Sequence, residues 1–220
     1  MTIDPSPKAS AISVVAVVLG AGRSSRMGAS GPHKLLVEFE GVPLIRRSTL
    51  IALGSECRSV VVVSGHQTLE IQAAIKDLDV QAVYNEHYSS GIGSSLALGV
   101  RVAQTSQPDG IMIVLADMPV LTSANLNALI AAFRDANGAS VVRATAQGTS
   151  GNPVIFPRPL YHRLQDLSSD IGARRVIEKG GLPVVNVEIG EAALVDVDTQ
   201  DQVAAAGGVL PAQIAPSVKR

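Results

Sequence analysis

This chain is poor in the side chains that nucleic-acid readers, secreted scaffolds and membrane proteins rely on. It has no tryptophan, an aromatic content of 3% over 220 residues and a formal net charge of -1 at pH 7. With few rings to stack on bases and no global positive field, a polymeric nucleic acid is not an expected partner. Cys57 is the single cysteine, which excludes an intrachain disulfide and a thiolate metal cluster. That usage fits a reducing compartment, and the expected location is the cytoplasm. No uninterrupted apolar run approaches membrane-spanning length, so no membrane association is expected. Met1 to Ser10 lacks the apolar stretch of a signal peptide, and residues 1–12 read as a disordered start. The four histidines, His33, His66, His87 and His162, form no i, i+4 pair and read as surface or hydrogen-bonding residues rather than metal ligands.

Hydrophobic residues at 46% and charged residues at 17% support one well-filled domain, taken as residues 13–207. An Ala-, Pro- and Gly-rich tail over 208–220 is expected to fray. Apolar runs predict buried strands at Val14 to Leu19, Ser59 to Ser64, Val80 to Tyr84, Ile111 to Ala116 and Ala139 to Ala144. Helical patterns lie between them at about 43–55, 67–77, 93–105 and 122–136. In the last, Leu126, Leu129, Ile130 and Phe133 share a face, and Thr122 or Ser123 can cap the start. This alternation predicts an α/β fold with a mostly parallel sheet, helices on both sides and ligands beyond the carboxyl ends of the strands. After residue 145, Gly148, Gly151, Pro153, Pro157 and Pro159 interrupt short elements, and the stretch reads as a subdomain laid over the crevice. Ala192 to Ala206 reads as a short strand ending in Asp196-Val197-Asp198-Thr199, followed by a helix that Thr199 caps.

The first strand opens directly into Gly20-Ala21-Gly22-Arg23-Ser24-Ser25-Arg26-Met27-Gly28, with Lys34 close behind. Glycines let backbone N–H groups approach an anion, and Arg23, Arg26 and Lys34 can neutralise it, which points to a triphosphate. The loop is not a P-loop: five residues separate Gly22 from Gly28, and Ala29 stands where the lysine belongs. Nor is it a dinucleotide fingerprint, which needs a glycine where Ser25 stands. Asp117, at the end of an apolar strand, suits a hard cation such as Mg²⁺, which takes one or two carboxylates plus phosphate oxygens. Asp196 and Asp198, two residues apart, are candidates for the second carboxylate. Gly65 follows the second strand, facing the same crevice. Gly91-Ile92-Gly93-Ser94-Ser95 opens a helix as either a cap or a nucleotide contact. Arg174 and Arg175 read equally as a second phosphate site or a solvated helix face. Gly151-Asn152-Pro153 reads as a tight turn that brings backbone close to a neighbour.

Taken in order, these motifs resemble the MobA-like nucleotidyltransferases, specifically the molybdenum cofactor cytidylyltransferase group. The matching pieces are Leu19 to Gly28 with Lys34-Leu35-Leu36, Gly41-Val42-Pro43-Leu44, Gly91 to Leu96, Asp117-Met118-Pro119, Gly151-Asn152-Pro153, Asp170 to Arg174 and Asp196 to Thr199. The resemblance implies a three-layer α/β/α, Rossmann-like nucleotide-diphospho-sugar transferase fold. It also implies Mg²⁺-dependent transfer of a nucleotide from an NTP to a phosphorylated acceptor, with release of pyrophosphate. On this chain it implies that Leu19, Gly20, Ala21, Gly22, Arg23, Gly65, Gly91, Ser94 and Ser95 surround the nucleotide. Arg26, Lys34 and Asp117 would be catalytic, with Asp117, Asp198 and Asp196 holding Mg²⁺. Gly151, Asn152, Pro153, Asp170 and Arg174 would meet the acceptor. Ala21 favours CTP over GTP, and the implied acceptor is a molybdopterin-type cofactor destined for a molybdoenzyme or its chaperone. Another phosphorylated acceptor, such as a sugar or polyol phosphate, and a non-catalytic carrier role remain open at this point. The chain departs from the group in the long spacer Ala29 to His33, and at Gly20 and Asn152, where alanine and histidine are common.

Overall fold

The computed structural model describes residues 12–27, 33–168 and 172–210. The apolar run Val14–Gly20 forms β1, buried at every position. Its alternation sends Val14, Ala16 and Val18 into one apolar cluster and Val15, Val17 and Leu19 into another, so the strand has a core on each face. The chain continues through β2 (Glu38–Phe39), β3 (Val42–Pro43), α1 (Leu44–Leu53), β4 (Ser59–Ser64), α2 (Thr68–Ile75), β5 (Gln81–Tyr84), α3 (Ile92–Gln104), β6 (Gly110–Leu115) and α4 (Ser123–Asp135). It then forms β7 (Val141–Ala146), β8 (Thr149–Pro157), α5 (Tyr161–Gln165), α6 (Arg174–Lys179), β9 (Val184–Glu188), α7 (Gln200–Ala205) and β10 (Gly208–Val209).

The main sheet has 7 strands in the order β5-β4-β1-β6-β8-β7-β9. All run parallel except β8, which is antiparallel to both of its neighbours. Helices α1, α2, α4 and α7 cover one face; α3, α5 and α6 cover the other. This is the three-layer α/β/α arrangement with a mostly parallel sheet expected from the sequence. The periodic face of α4 is fully buried at Leu126, Leu129, Ile130 and Phe133. Thr122 caps that helix through a reciprocal exchange with Asn125. Because the parallel strands share a direction, the loops after β1, β4, β5 and β6 gather at one edge, where ligands bind in such folds.

Three expectations need correction. The stretch 149–157 is a strand of the main sheet, not part of a subdomain over the crevice: its apolar run Val154-Ile155-Phe156 is buried and pairs with β6. Glycine and proline are tolerated there because Gly151, Asn152 and Pro153 fall in an irregularity, where the β7 pairing jumps from Arg143↔Val154 to Thr145↔Ser150. Residues 195–198 form no strand; the Val197 N–H instead donates to the Asp117 carbonyl at 3.0 Å. Gly208 and Val209, placed in the fraying tail, pair with β2 in a small second sheet, β10-β2-β3. The remainder of that tail, and nearly all of the expected N-terminal disordered segment, lie outside the described residues.

Helix α3 packs unusually close to the sheet at Gly99, where an added Cβ would lie 2.4 Å from Val17 Cγ1 and 3.0 Å from Val63 Cγ2. Both valines are held by strands, so the helix itself must move to admit a methyl group. Gly99→Ala is therefore expected to lower the unfolding free energy by about 1–3 kcal/mol despite its better helix propensity. A fall in the urea midpoint with unchanged slope is the expected readout.

Candidate functional site

The loop after β1 is shaped by its own polar groups. Ser24 takes a left-handed conformation, φ 54°, and its Oγ accepts the Lys34 N–H at 3.2 Å. The His33 ring, 3% exposed, spans the loop: Nε2 donates to the Gly22 carbonyl at 2.9 Å and Nδ1 accepts the Leu35 N–H at 3.3 Å. Those two bonds require the neutral ring with its proton on Nε2. Burial lowers the His33 pKa from 6.5 to about 4, against the opposing pull of the Gly22 carbonyl. The ring stacks on His66, 5.8 Å between centroids, and His66 in turn meets Tyr88, over which the Arg23 guanidinium lies.

This clamp delivers Lys34, 8% exposed, into a cluster of carboxylates. Its Nζ donates to Asp117 Oδ2 and to Asp198 Oδ1, both at 2.6 Å. Arg26 Nη1 donates to the other Asp198 oxygen. Burial acts to lower the Lys34 pKa, but Asp117 and Asp198 outweigh it and hold the ammonium above its ordinary range. The Lys34 hydrogen bond, with Arg26 beside it, holds Asp198 below the ordinary carboxylate range. Asp196 is pushed up by partial burial and by the charges of Asp117 and Asp198. Asp117, Asp196 and Asp198 each offer an oxygen, and these oxygens all lie within 4.8 Å of one another. Asp117 Oδ1 is buried with no hydrogen-bond partner among the described residues. A hard oxygen donor set with an orphaned, buried carboxylate oxygen fits a divalent cation such as Mg²⁺ or Mn²⁺.

Leu19, Ala21, Gly22, Arg23, Lys34, Gly91, Ser95, Asp117, Asp196 and Asp198 line a lobe of about 450 Å³. Gly151, Asn152 and Arg174 line an adjoining lobe of about 530 Å³, and Leu19, Ile92 and Leu115 border both. Arg26 sits at the rim, exposed except for its bond to Asp198. Several anticipated residues also support the loop and its neighbours. Gly65 lies behind the loop, where a Cβ would meet the Ala21 carbonyl at 2.7 Å and Tyr88 Cβ at 2.5 Å; Gly20 is buried against Ile45. The Ser94 hydroxyl is engaged by the His87 and Gly91 carbonyls and by Asn85. Pro153 is buried in β8, and Asp170 lies outside the described residues. The neighbour that Gly151 approaches is Ala193, whose carbonyl oxygen would lie 2.0 Å from an added Cβ.

The sequence places Asn85 to Ser95 at the crevice without giving Asn85 a role, and Arg143 went unnoticed. Asn85, 4% exposed, donates to both Ser94 and Ser95 hydroxyls at 2.9 Å and accepts the His87 N–H, so it fixes the start of α3. An asparagine at a strand end followed by paired serines was the available signal. Arg143 reaches the second lobe from mid-strand, where its position carries no motif.

The clamp makes loop stability depend on pH. An unfolded histidine titrates near 6.5 and His33 near 4, so between those values the unfolded chain holds more protons and stability falls as pH drops. Urea titrations at stepped pH are expected to show a loss of up to about 3 kcal/mol across that window from this group. His33→Asn, which retains the acceptor but does not titrate, is expected to lack that part of the slope.

Comparison with known proteins agrees with this geometry. The chain is 32% identical over 200 residues to the purine catabolism protein PucB of Bacillus subtilis, covering 86% of this chain and 93% of that protein. It is 28% identical to the nicotine blue oxidoreductase of Paenarthrobacter nicotinovorans, covering 86% and 94%. Among solved structures, the manganese complex of Rv0371c from Mycobacterium tuberculosis superposes with a TM-score of 0.73 at 21% identity, covering 89% of this chain and 98% of that one. The sequence profile of the MobA-like NTP transferase domain matches residues 16–184. Most of the buried strand, the cationic loop with Lys34, and Asp117 thus sit within a matched region that takes in most of the fold, with Asp196 and Asp198 just beyond it, and the chain belongs to the MobA-like NTP transferase family.

Proposed function

We propose that this protein transfers CMP from CTP to the phosphate of a molybdopterin-type cofactor, releasing pyrophosphate and requiring Mg²⁺. The observation that carries the reading is the Lys34 ammonium held between Asp117 and Asp198 beside a glycine-bearing loop. The loop backbone at Ala21 and Gly22, with Arg23, would receive the nucleotide, and Ala21 favours cytosine. Arg26 and Lys34 would turn to the triphosphate, where positive charge stabilises the negative charge that develops on the leaving pyrophosphate. Asp117, Asp198 and Asp196 would hold the metal, which when bound supplies Lewis-acid polarisation of phosphate oxygens. The acceptor phosphate, seated in the lobe of Asn152 and Arg174, would attack the α-phosphorus in line as the bond to pyrophosphate breaks. The protein positions groups and neutralises charge, and no side-chain nucleophile is needed.

The name of PucB places that relative in purine catabolism, a setting that suits maturation of a molybdenum hydroxylase. A partner molybdoenzyme, or its chaperone, would then receive the product. No helix among the described residues is long and apolar enough to cross a membrane. The location proposed from the cysteine usage is the cytoplasm. The name of the Paenarthrobacter relative favours a second reading, hydride transfer, but the loop lacks the third glycine of a dinucleotide fingerprint and the aspartate cluster has no use in that chemistry.

Pyrophosphate release is to be measured with Mg²⁺, each of the four NTPs and molybdenum-bearing molybdopterin, alongside sugar and polyol phosphates and an assay for NADPH oxidation. Release with CTP and the pterin is expected, and chelation of the metal is expected to abolish it. Release with a sugar phosphate and none with the pterin would overturn the acceptor. Lys34→Ala and Asp117→Ala are each expected to lose roughly 3 to 4 kcal/mol of transition-state stabilisation, a few hundredfold in kcat/KM. Wild-type rates in Asp117→Ala would remove the metal assignment.

A further inference from the structure

Arg23 is held from two sides by one stack of rings. The Gly22 carbonyl, directly before it in the chain, accepts from His33 Nε2 at 2.9 Å. The His33 ring lies on His66, 5.8 Å between centroids, and His66 meets Tyr88 at 6.0 Å. The Arg23 guanidinium in turn lies over the Tyr88 ring, 5.9 Å from its centroid. A stack drawn from the loops after β1, β4 and β5 therefore begins at the peptide before Arg23 and ends under its side chain. Tyr88 is itself fixed: its N–H donates to the Asn85 carbonyl at 3.3 Å, and a Cβ added to Gly65 would lie 2.5 Å from Tyr88 Cβ.

The three cations of this region differ in what neutralises them. Lys34 is paired with Asp117 and Asp198, and Arg26 with Asp198. Among the described residues Arg23 has an aromatic face in place of a carboxylate, so its N–H donors reach an anion without first breaking an ion pair. Arg23 and Tyr88 both line the lobe that contains Asp117. An exposed arginine ordinarily loses rotamer freedom when it meets a ligand, and a ring beneath it removes part of that loss in advance.

We infer that Tyr88 is a positioning residue, whose ring presets Arg23 as the first cation to engage the phosphates of an incoming nucleotide. The inference rests on the proposed nucleotidyl transfer and adds to it a residue that acts through Arg23. Because the ring works through a guanidinium on phosphate, its effect is independent of the base.

The test titrates the full chain calorimetrically with CTP in Mg²⁺ and, separately, with inorganic tripolyphosphate, which carries the phosphates and no base. Arg23→Gln is expected to weaken both about tenfold and Tyr88→Leu about threefold, while Tyr88→Phe keeps wild-type affinity. In the Arg23→Gln background, Tyr88→Leu is expected to add no further loss. Under turnover, the Tyr88→Leu loss is expected in KM for CTP and not in kcat. Tyr88→Met carries the same test should Tyr88→Leu fail to fold. Unchanged affinity in Arg23→Gln would overturn the inference. So would an equal Tyr88→Leu loss with and without Arg23, which makes the ring a structural support, or a loss confined to CTP, which puts the base against the ring. A wild type that binds tripolyphosphate with the expected Arg23 and Tyr88 effects, yet releases no pyrophosphate from CTP, would overturn nucleotidyl transfer alone, so the two failures are distinct.

Discussion

One ammonium group between two carboxylates organises the cleft. Lys34 lies 83 residues from Asp117 and 164 from Asp198, yet its Nζ meets both at 2.6 Å. The contact joins the loop after β1, the end of β6 and the segment that follows β9. Desolvation opposes a buried cation, and here only the paired aspartates reverse the balance. Without the lysine, two carboxylates would face each other in a partly dehydrated site; without either aspartate, a largely buried charge would lose half of its compensation.

The electrostatics of that arrangement extend beyond the pair. Asp117, Asp196 and Asp198 meet two cations, Lys34 and Arg26, so the cluster keeps an excess of one negative charge. Asp198 is satisfied on both oxygens, by Lys34 and Arg26. Asp196 and the orphaned Asp117 Oδ1 hold the unspent acceptor capacity. On the proposed mechanism, a triphosphate that drew Lys34 and Arg26 away would leave the cluster with uncompensated negative charge, and cation and nucleotide would then favour each other's binding.

Much of this was legible in the residues because it depends on local pattern. The run Val14 to Leu19 could only be a doubly buried strand, and the period of Leu126, Leu129, Ile130 and Phe133 could only be one helix face. The glycine loop and Asp117 were readable because a buried strand fixes where the next residues emerge. Features that depend on register across distant strands were not readable. Arg143 belongs to the second lobe because β8 inserts in reverse between β6 and β7, and no short window of sequence carries that information. The stretch 149–157 misled because its glycine and proline lie in an irregularity of one strand, where the local signal for a breaker is the same as for a loop. Ser94 and Gly65 carry a further lesson: motif residues next to a site also hold its neighbours in place.

The contact between Gly151 and Ala193 has a wider meaning. With a virtual Cβ 2.0 Å from the carbonyl oxygen, β8 and the backbone leading to Asp196 and Asp198 touch without an intervening side chain. A side-chain interface can be retuned by trading one residue for another of different size, but backbone pressed on backbone has no such adjustment. The wall of the second lobe and the strap that carries the acidic residues are consequently one part. Side chains on the periphery of the second lobe, such as Arg143 and Arg174, can be exchanged without disturbing this contact; residues of the irregularity in β8 cannot.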